Sequence, residues 1–234
     1  NTLVKRYYAP LMTAEGDHDR AMDFYEDALE IAPNDIPTLS EYAQVLEAAG
    51  RTVDVPEVLD TILASNPDPD TRAVVLARKT ELEEPKRVEA VEAARQKMEG
   101  GDVESGLREL RPLRNWLADY WKLWALLASG FNRTEQYKDA EDASMRLIEL
   151  YPGCEPAYGE LMGAMVGQGR AEEAWQMMQW AVSRNPQSLS LHLNLGLAAA
   201  KAGHREEAKQ IARQLREAVG QNDELEPVFA EMEA

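Results

Sequence analysis

Residues 121–152 read WKLWALLASGFNRTEQYKDAEDASMRLIELYP. Trp124, Leu127, Ala128 and Phe131 recur three and four residues apart, which places them on one helix face. A polar turn follows, then a second apolar-periodic segment with Ala140 and Leu147, closed by Pro152. Two amphipathic helices joined by a short turn account for this pattern, because proline has no N–H with which to continue a helix. Working outward, the same landmarks return every 34 residues: Pro152 and Pro186, Pro33 and Pro67, Gly16 and Gly50, Gly169 and Gly203, and the series Ala140, Ala174, Ala208. Self-similarity at one period over most of a chain marks a stack of supersecondary units, none of which can bury its apolar face alone.

At these residues the chain resembles the tetratricopeptide repeat family. Trp124, Leu127, Ala128 and Phe131 match the family's first helix, and Ala140, Leu147 and Pro152 its second. A copy beginning at Glu155 carries Tyr158, Leu161, Met165, Gly169, Ala174, Ala181 and Pro186. The copy from Leu189 has Leu195, Gly196, Gly203 and Ala208, with His192 and Ala199 in place of two aromatics. Near the start, Tyr8, Ala9, Gly16, Ala21, Tyr25, Ala28 and Pro33 fit. The next copy keeps Leu39, Tyr42, Ala43, Gly50, Leu59 and Pro67, but Val55 and Ile62 stand where alanine is usual, so a locally wider helix spacing is expected. The resemblance implies an all-α fold: a right-handed α–α superhelix of about six helical hairpins.

Between the two regular blocks the register slips. Gly50 and Gly101 are 51 residues apart, one and a half repeats, so an extra helix is expected near 70–86. The repeat after it is degenerate: Gly106 replaces the crossing alanine, and Pro112 is expected to kink its second helix. A second parse pairs the helix at Thr71 with the one at Lys86 and leaves 102–117 as the odd one. The expected organisation is an acidic two-repeat array (1–69), an inserted helix (70–86), a four-repeat array (87–222) and a capping helix (223–234).

Composition removes whole classes of function. A net charge of −17, from 42 acidic and 25 basic residues, disfavours nucleic acid as partner. The lone Cys154 rules out an internal disulfide and a four-cysteine zinc site, and it reads as an exposed spectator thiol. His18, His192 and His204 are too scattered to suggest a shared metal. No glycine-rich phosphate loop and no candidate catalytic residue is present, so neither enzyme activity nor a cofactor is expected. No apolar run is long enough to span a membrane, and with no signal sequence in the chain the expected compartment is the cytoplasm. Asn1 in place of Met is compatible with processing or with a piece of a longer protein. Trp116, Trp121, Trp124, Trp175 and Trp180 read as seam fillers between repeats.

First helices of the repeats line the inner surface in this family, so the resemblance places partner contacts there. Gly159, Gly163 and Gly167 follow one another at i, i+4, i+8, leaving one helix face without side chains. Each glycine costs up to ~1 kcal/mol of helix propensity, which binding to bare backbone or close inter-repeat packing would offset. Ala125, Ser129, Leu193, Asn194 and Leu197 flank that face, with Lys122, Arg133, Glu160 and Lys201 at its edges. The family's carboxylate clamp is not expected: Arg6 fits its first position, but Pro10, Ser40 and Glu41 do not fit those that follow. Residues 1–70 hold 15 acids against 4 bases, net −11, which points either to a basic partner or to a solvated surface. The row Arg108, Arg111, Arg114 poses the same choice with the opposite sign. The resulting expectation is a protein-interaction scaffold or adaptor that takes a peptide or helix of a partner protein in its groove. The alternatives are the accessory region of a larger enzyme (a glycosyltransferase, sulfotransferase or thioredoxin-fold protein) and a self-assembling homo-oligomeric scaffold.

Overall fold

The structure is a computed structural model that describes residues 2–220 and 222–234, with side chains from Tyr8 onward. Asn1 and the side chain of Arg6 lie outside the described residues. The described residues form fourteen α-helices and one short 3-10 helix. The chain divides into two compact units, Asn1–Val88 and Glu89–Ala234.

The first unit holds α1 (Thr2–Ala14), α2 (His18–Ile31), α3 (Ile36–Ala48), α4 (Val55–Ala64) and α5 (Pro69–Glu83). Short aspartates start three of these helices. Asp17, Asp35 and Asp68 each accept a hydrogen bond from a first-turn backbone N–H, satisfying a donor that the helix itself leaves unpaired. Ala9 and Ala21 are fully buried where α1 crosses α2, and Tyr25, Leu46, Val55 and Ile62 continue the core through α4.

The second unit contains most of α6 (Pro85–Glu99), then α7 (Val103–Leu110), the 3-10 turn Arg111–Asn115, α8 (Trp121–Arg133), α9 (Tyr137–Leu150), α10 (Glu155–Gly167), α11 (Ala171–Arg184), α12 (Leu189–Ala202), α13 (Arg205–Val219) and α14 (Glu226–Glu233). Antiparallel pairing brings a small residue to each crossing, with Ala140, Ala174 and Ala208 all fully buried. Gly106 does the same in the degenerate repeat: a Cβ there would overlap the Met98 side chain and lie 2.9 Å from the Ala94 carbonyl oxygen. That contact pairs α6 with α7.

Several expectations need correction. Pro112 does not kink a helix; α7 ends at Leu110 and the proline sits in the 3-10 turn, because it has no N–H to give. The arginine row is therefore not one helix face, and Arg111 lies over the Phe131 ring at 5.1 Å. Cys154 is buried rather than exposed, packed with Leu147, Ala157, Trp121 and Trp124 at the start of α10. Trp116 and Trp180 are 67% and 54% exposed rather than buried in a seam, and the Trp180 ring centre lies 6.3 Å from that of Tyr158. The closing helix begins at Glu226, later than Asn222, and its Phe229 and Met232 are buried against the last hairpin.

Gly16, Gly50, Gly101, Gly169 and Gly203 all have positive φ in the turn between paired helices. Position 135 lies 34 residues after Gly101 and 34 before Gly169, yet it holds a glutamate at φ 57°. Left-handed backbone costs an L-residue about 1–2 kcal/mol, and glycine is spared this. Glu135→Gly should raise the unfolding free energy by about 0.5–1 kcal/mol, the strain relieved less the added unfolded-chain entropy, as read by denaturant titration.

The end of the second unit is held by a charge-assisted clasp. Arg216 donates to Glu226 at 3.1 Å and to Glu233 at 2.9 Å, while its guanidinium lies 4.9 Å from the centre of the Phe229 ring. The Arg216 hydrogen bond holds the Glu233 carboxyl below the usual range. A depressed folded-state pKa stabilises the fold at pH values above the unfolded one, and that gain is lost as pH falls through the folded one. Arg216→Met should lower the melting midpoint at pH 7 by a few degrees, as read by thermal denaturation. The gap between variant and parent should narrow on acidification through the carboxylate range.

Candidate functional site

Each unit presents one candidate surface. In the first, a cleft of about 250 Å³ lies between α3, α4 and α5. Helix α3 supplies Ser40, Ala43, Gln44 and Glu47, spaced so that all four share one side. Helix α4 supplies Leu59 and Ile62 as an apolar floor, and α5 supplies Val74, Val75 and Arg78. Pro69 at the first position of α5, with Asp68 accepting from the backbone N–H groups of Asp70 and Thr71, fixes where that helix begins. Arg78 closes one end of the cleft by donating to Glu47 at 2.6 Å and to Glu81 at 3.1 Å. Val75 is buried, whereas Val74 at the mouth is 51% exposed. Sequence reasoning missed this site because α5 looked like an odd insertion. Ile62 in place of alanine, one residue in the cleft floor, was the available signal.

In the second unit the structure places the predicted residues on α8, α10 and α12, which are neighbours. It does not leave the three glycines bare. A Cβ at Gly159 would lie 2.9 Å from Asn194 Nδ2, and one at Gly167 would overlap the Tyr137 ring of α9. Only Gly163 has ordinary clearance, 3.6 Å to Asn132 Nδ2. Of the two uses open to these glycines, packing accounts for Gly159 and Gly167, whose positions the chain's own side chains fill.

Asn132, absent from the predicted set, organises this face. Its amide donates to the Glu160 carbonyl oxygen at 2.8 Å and to the Glu160 carboxylate at 2.7 Å. Its Oδ1 is buried with no hydrogen-bond partner among the described residues. Arg133 donates to the Met98 carbonyl at 3.1 Å, and Lys201 pairs with Glu231 at 2.6 Å, so two of the three edge cations are tied to their own unit. The Lys122 ammonium lies 5.8 Å from the Trp121 ring centre. Ala125 and Ser129 of α8 and Leu193 and Leu197 of α12 remain half-buried. Next to this face, Arg170 Nη1 and Gln168 bond Glu141 at 2.8 and 2.7 Å, and the Arg170 hydrogen bond holds that carboxyl below its ordinary pKa.

The histidines have separate neighbours. His204 Nε2 lies 2.8 Å from a Glu172 oxygen with its ring against Trp175, while His192 Nδ1 lies 2.8 Å from the Ser188 carbonyl. Among the described residues no group of three or more His, Cys, Asp or Glu is placed to hold a metal, and no helix is long and apolar enough to cross a membrane.

The glycine contacts separate packing from tolerance. Gly163→Ala should be neutral or stabilising by up to ~1 kcal/mol, since the methyl meets only ordinary contact and alanine favours a helix. Gly167→Ala should be destabilising, because the Tyr137 ring must move. Chemical denaturation of the two variants checks both signs.

A family profile described as tetratricopeptide repeat matches residues 12–79. No curated protein sequence matches the chain. Among solved structures, a tetratricopeptide repeat protein from Parabacteroides merdae is 14% identical, with 100% of this chain and 85% of that one covered at a TM-score of 0.46. The TPR2AB domain of yeast Sti1, solved as its pHSP90 complex, is 14% identical over 99% of this chain and 96% of that one, at 0.42. An O-GlcNAc transferase from Thermobaculum terrenum is 18% identical over 56% of this chain and 26% of that one, at 0.49. Residues 12–79, from the end of α1 into α5, thus match the tetratricopeptide repeat profile, and the described residues of both units form an all-helical array with paired helices.

Proposed function

We propose that the protein is a binding scaffold that seats an apolar side chain of a partner protein's segment in the cleft between α3, α4 and α5. One observation carries the reading: Val74 stands half exposed at the mouth of a cleft whose floor is Leu59 and Ile62. Leaving such a side chain in water forgoes burial worth about 1.5–3 kcal/mol for a full side chain, which a partner can recover. Ser40 and Gln44 on the opposite wall provide hydroxyl and amide groups to orient a peptide backbone. The ion pair between Arg78 and Glu47 bounds the cleft, so an apolar residue of moderate size suits it better than a charged one.

The face across α8, α10 and α12 is a second candidate, favoured by the half-buried Ser129, Leu193 and Leu197 beside Gly163. Gly159 and Gly167 serve packing in this reading, and its partner contacts reduce to Ala125, Ser129, Gly163, Leu193 and Leu197. A partner carrying basic residues suits the first unit, where residues 1–70 have a net charge of −11.

Selection of a displayed peptide library on the whole chain discriminates these faces. Enriched peptides should contain an apolar anchor, and they should lose about tenfold or more in affinity with Val74→Glu, the scale of one unmatched buried charge. Val53→Glu, at a residue 89% exposed and outside the cleft, should bind as the parent does. Loss with Leu197→Glu but not Val74→Glu would move the site to the second unit, and no enrichment at all would contradict the scaffold reading.

A further inference from the structure

A second cleft flanks α3 on a different side, and it has a different chemistry. It lies between α2 and α4 with α3 beneath, about 310 Å³ in volume. Leu39 and Leu46 form a buried floor, and Leu29 and Val58 form the walls. The rim is polar: Tyr42, Arg51, Asp54, Glu57 and Thr61.

The charges on that rim are unbalanced. Arg51 is its cation, and it is held by Asp54 at 2.8 Å, with its Nη1 3.7 Å from Met22 Sδ. Glu57 makes no ion pair among the described residues, and the Glu26 carboxylate beside the rim accepts only the Tyr42 hydroxyl, at 2.7 Å. Burial, then the Glu26 hydrogen bond, pushes the Tyr42 phenol up to about 12, so it stays a neutral donor at physiological pH. Arg51 also attracts Glu26, so the rim and its edge hold three carboxylates, Asp54, Glu57 and Glu26, against Arg51 as the cation of the lining.

We propose that this outer cleft receives a lysine or arginine side chain from a basic segment of a partner protein. Such a side chain combines the two properties the cleft separates: an aliphatic stem for Leu29, Val58 and the leucine floor, and a cation for the rim. The guanidinium or ammonium would meet Glu57 and Glu26 and lie near the Tyr42 ring, where the ring's negative face favours a cation. Arg51 shows that a guanidinium already fits at this mouth. The surrounding field, net −11 over residues 1–70, attracts cations and repels anions. This site is separate from the α3–α5 cleft, and either can fail without the other.

The probe is n-butylguanidinium, titrated into the whole 15N-labelled chain and followed by amide chemical shifts, with neutral n-butylurea in a parallel titration. The inference predicts saturable shifts at Leu29, Tyr42, Val58 and Thr61 with the cation and not with the urea. Glu57→Gln, at an exposed position, should weaken the cation's binding by about threefold, the scale of one exposed ion pair. Equal shifts with the urea would overturn the assignment of a cation. Non-saturating shifts spread along Asp19, Asp23 and Asp27, or no shifts at this cleft, would overturn the site itself.

Discussion

The size of one residue in each hairpin governs how closely its two helices approach. Ala21, Ala140, Ala174 and Ala208 occupy that crossing position, and all are fully buried. Gly106 takes the role in the degenerate repeat, where even a methyl group would collide with Met98. Close approach lets the flanking leucines and aromatics reach the next hairpin, and in a stacked array that neighbour contact is where stability resides. Val55 is the exception. It is equally buried but larger, and its hairpin, α3 with α4, is the one flanked by both clefts described above. A departure from the small-residue rule thus coincides with the surface best shaped to hold a partner.

Elsewhere the molecule spends its small residues on itself. The glycines of α10 seat the amide of Asn194 and the ring of Tyr137, and Gly196 of α12 gives room to Met232 of the closing helix. A Cβ at Gly196 would lie 2.6 Å from the Met232 sulfur, so α14 sits against α12 as a further hairpin's helix would. Arg216 and Lys201 then fix that helix through Glu226, Glu233 and Glu231. The glycine face of α10 is in this way largely filled by the second unit's own side chains, although Trp116 and Trp180 stand exposed elsewhere on that unit, while the first unit keeps Val74 exposed at its cleft.

Much of the fold was legible in the sequence because helix boundaries are local. Prolines after second helices, positive-φ glycines in turns and aspartates at first turns each act within four residues of their own position. Glu135 escaped notice because a left-handed glutamate leaves no compositional mark; only the 34-residue register reveals it. The site was less legible for a different reason. Which side chain faces Gly159 or Gly167 depends on the offset between neighbouring helices, and spacing along one helix says nothing about that offset. Asn132 lay one turn beyond Ser129 on the expected face, yet its bond to Glu160 appears only once α8 and α10 are side by side. Cys154 looked like a turn residue and is buried by Trp121 and Trp124.

The claim on which the rest depends is that crossing-residue size sets hairpin geometry. The unfolding free energy of Ala174→Val tests it most directly, because Ala174 is fully buried between α10 and α11 and valine already serves at the same position as Val55. The account predicts a loss of about 1–3 kcal/mol, the usual penalty for adding methyl groups to a closed contact. An unchanged or increased unfolding free energy would contradict it.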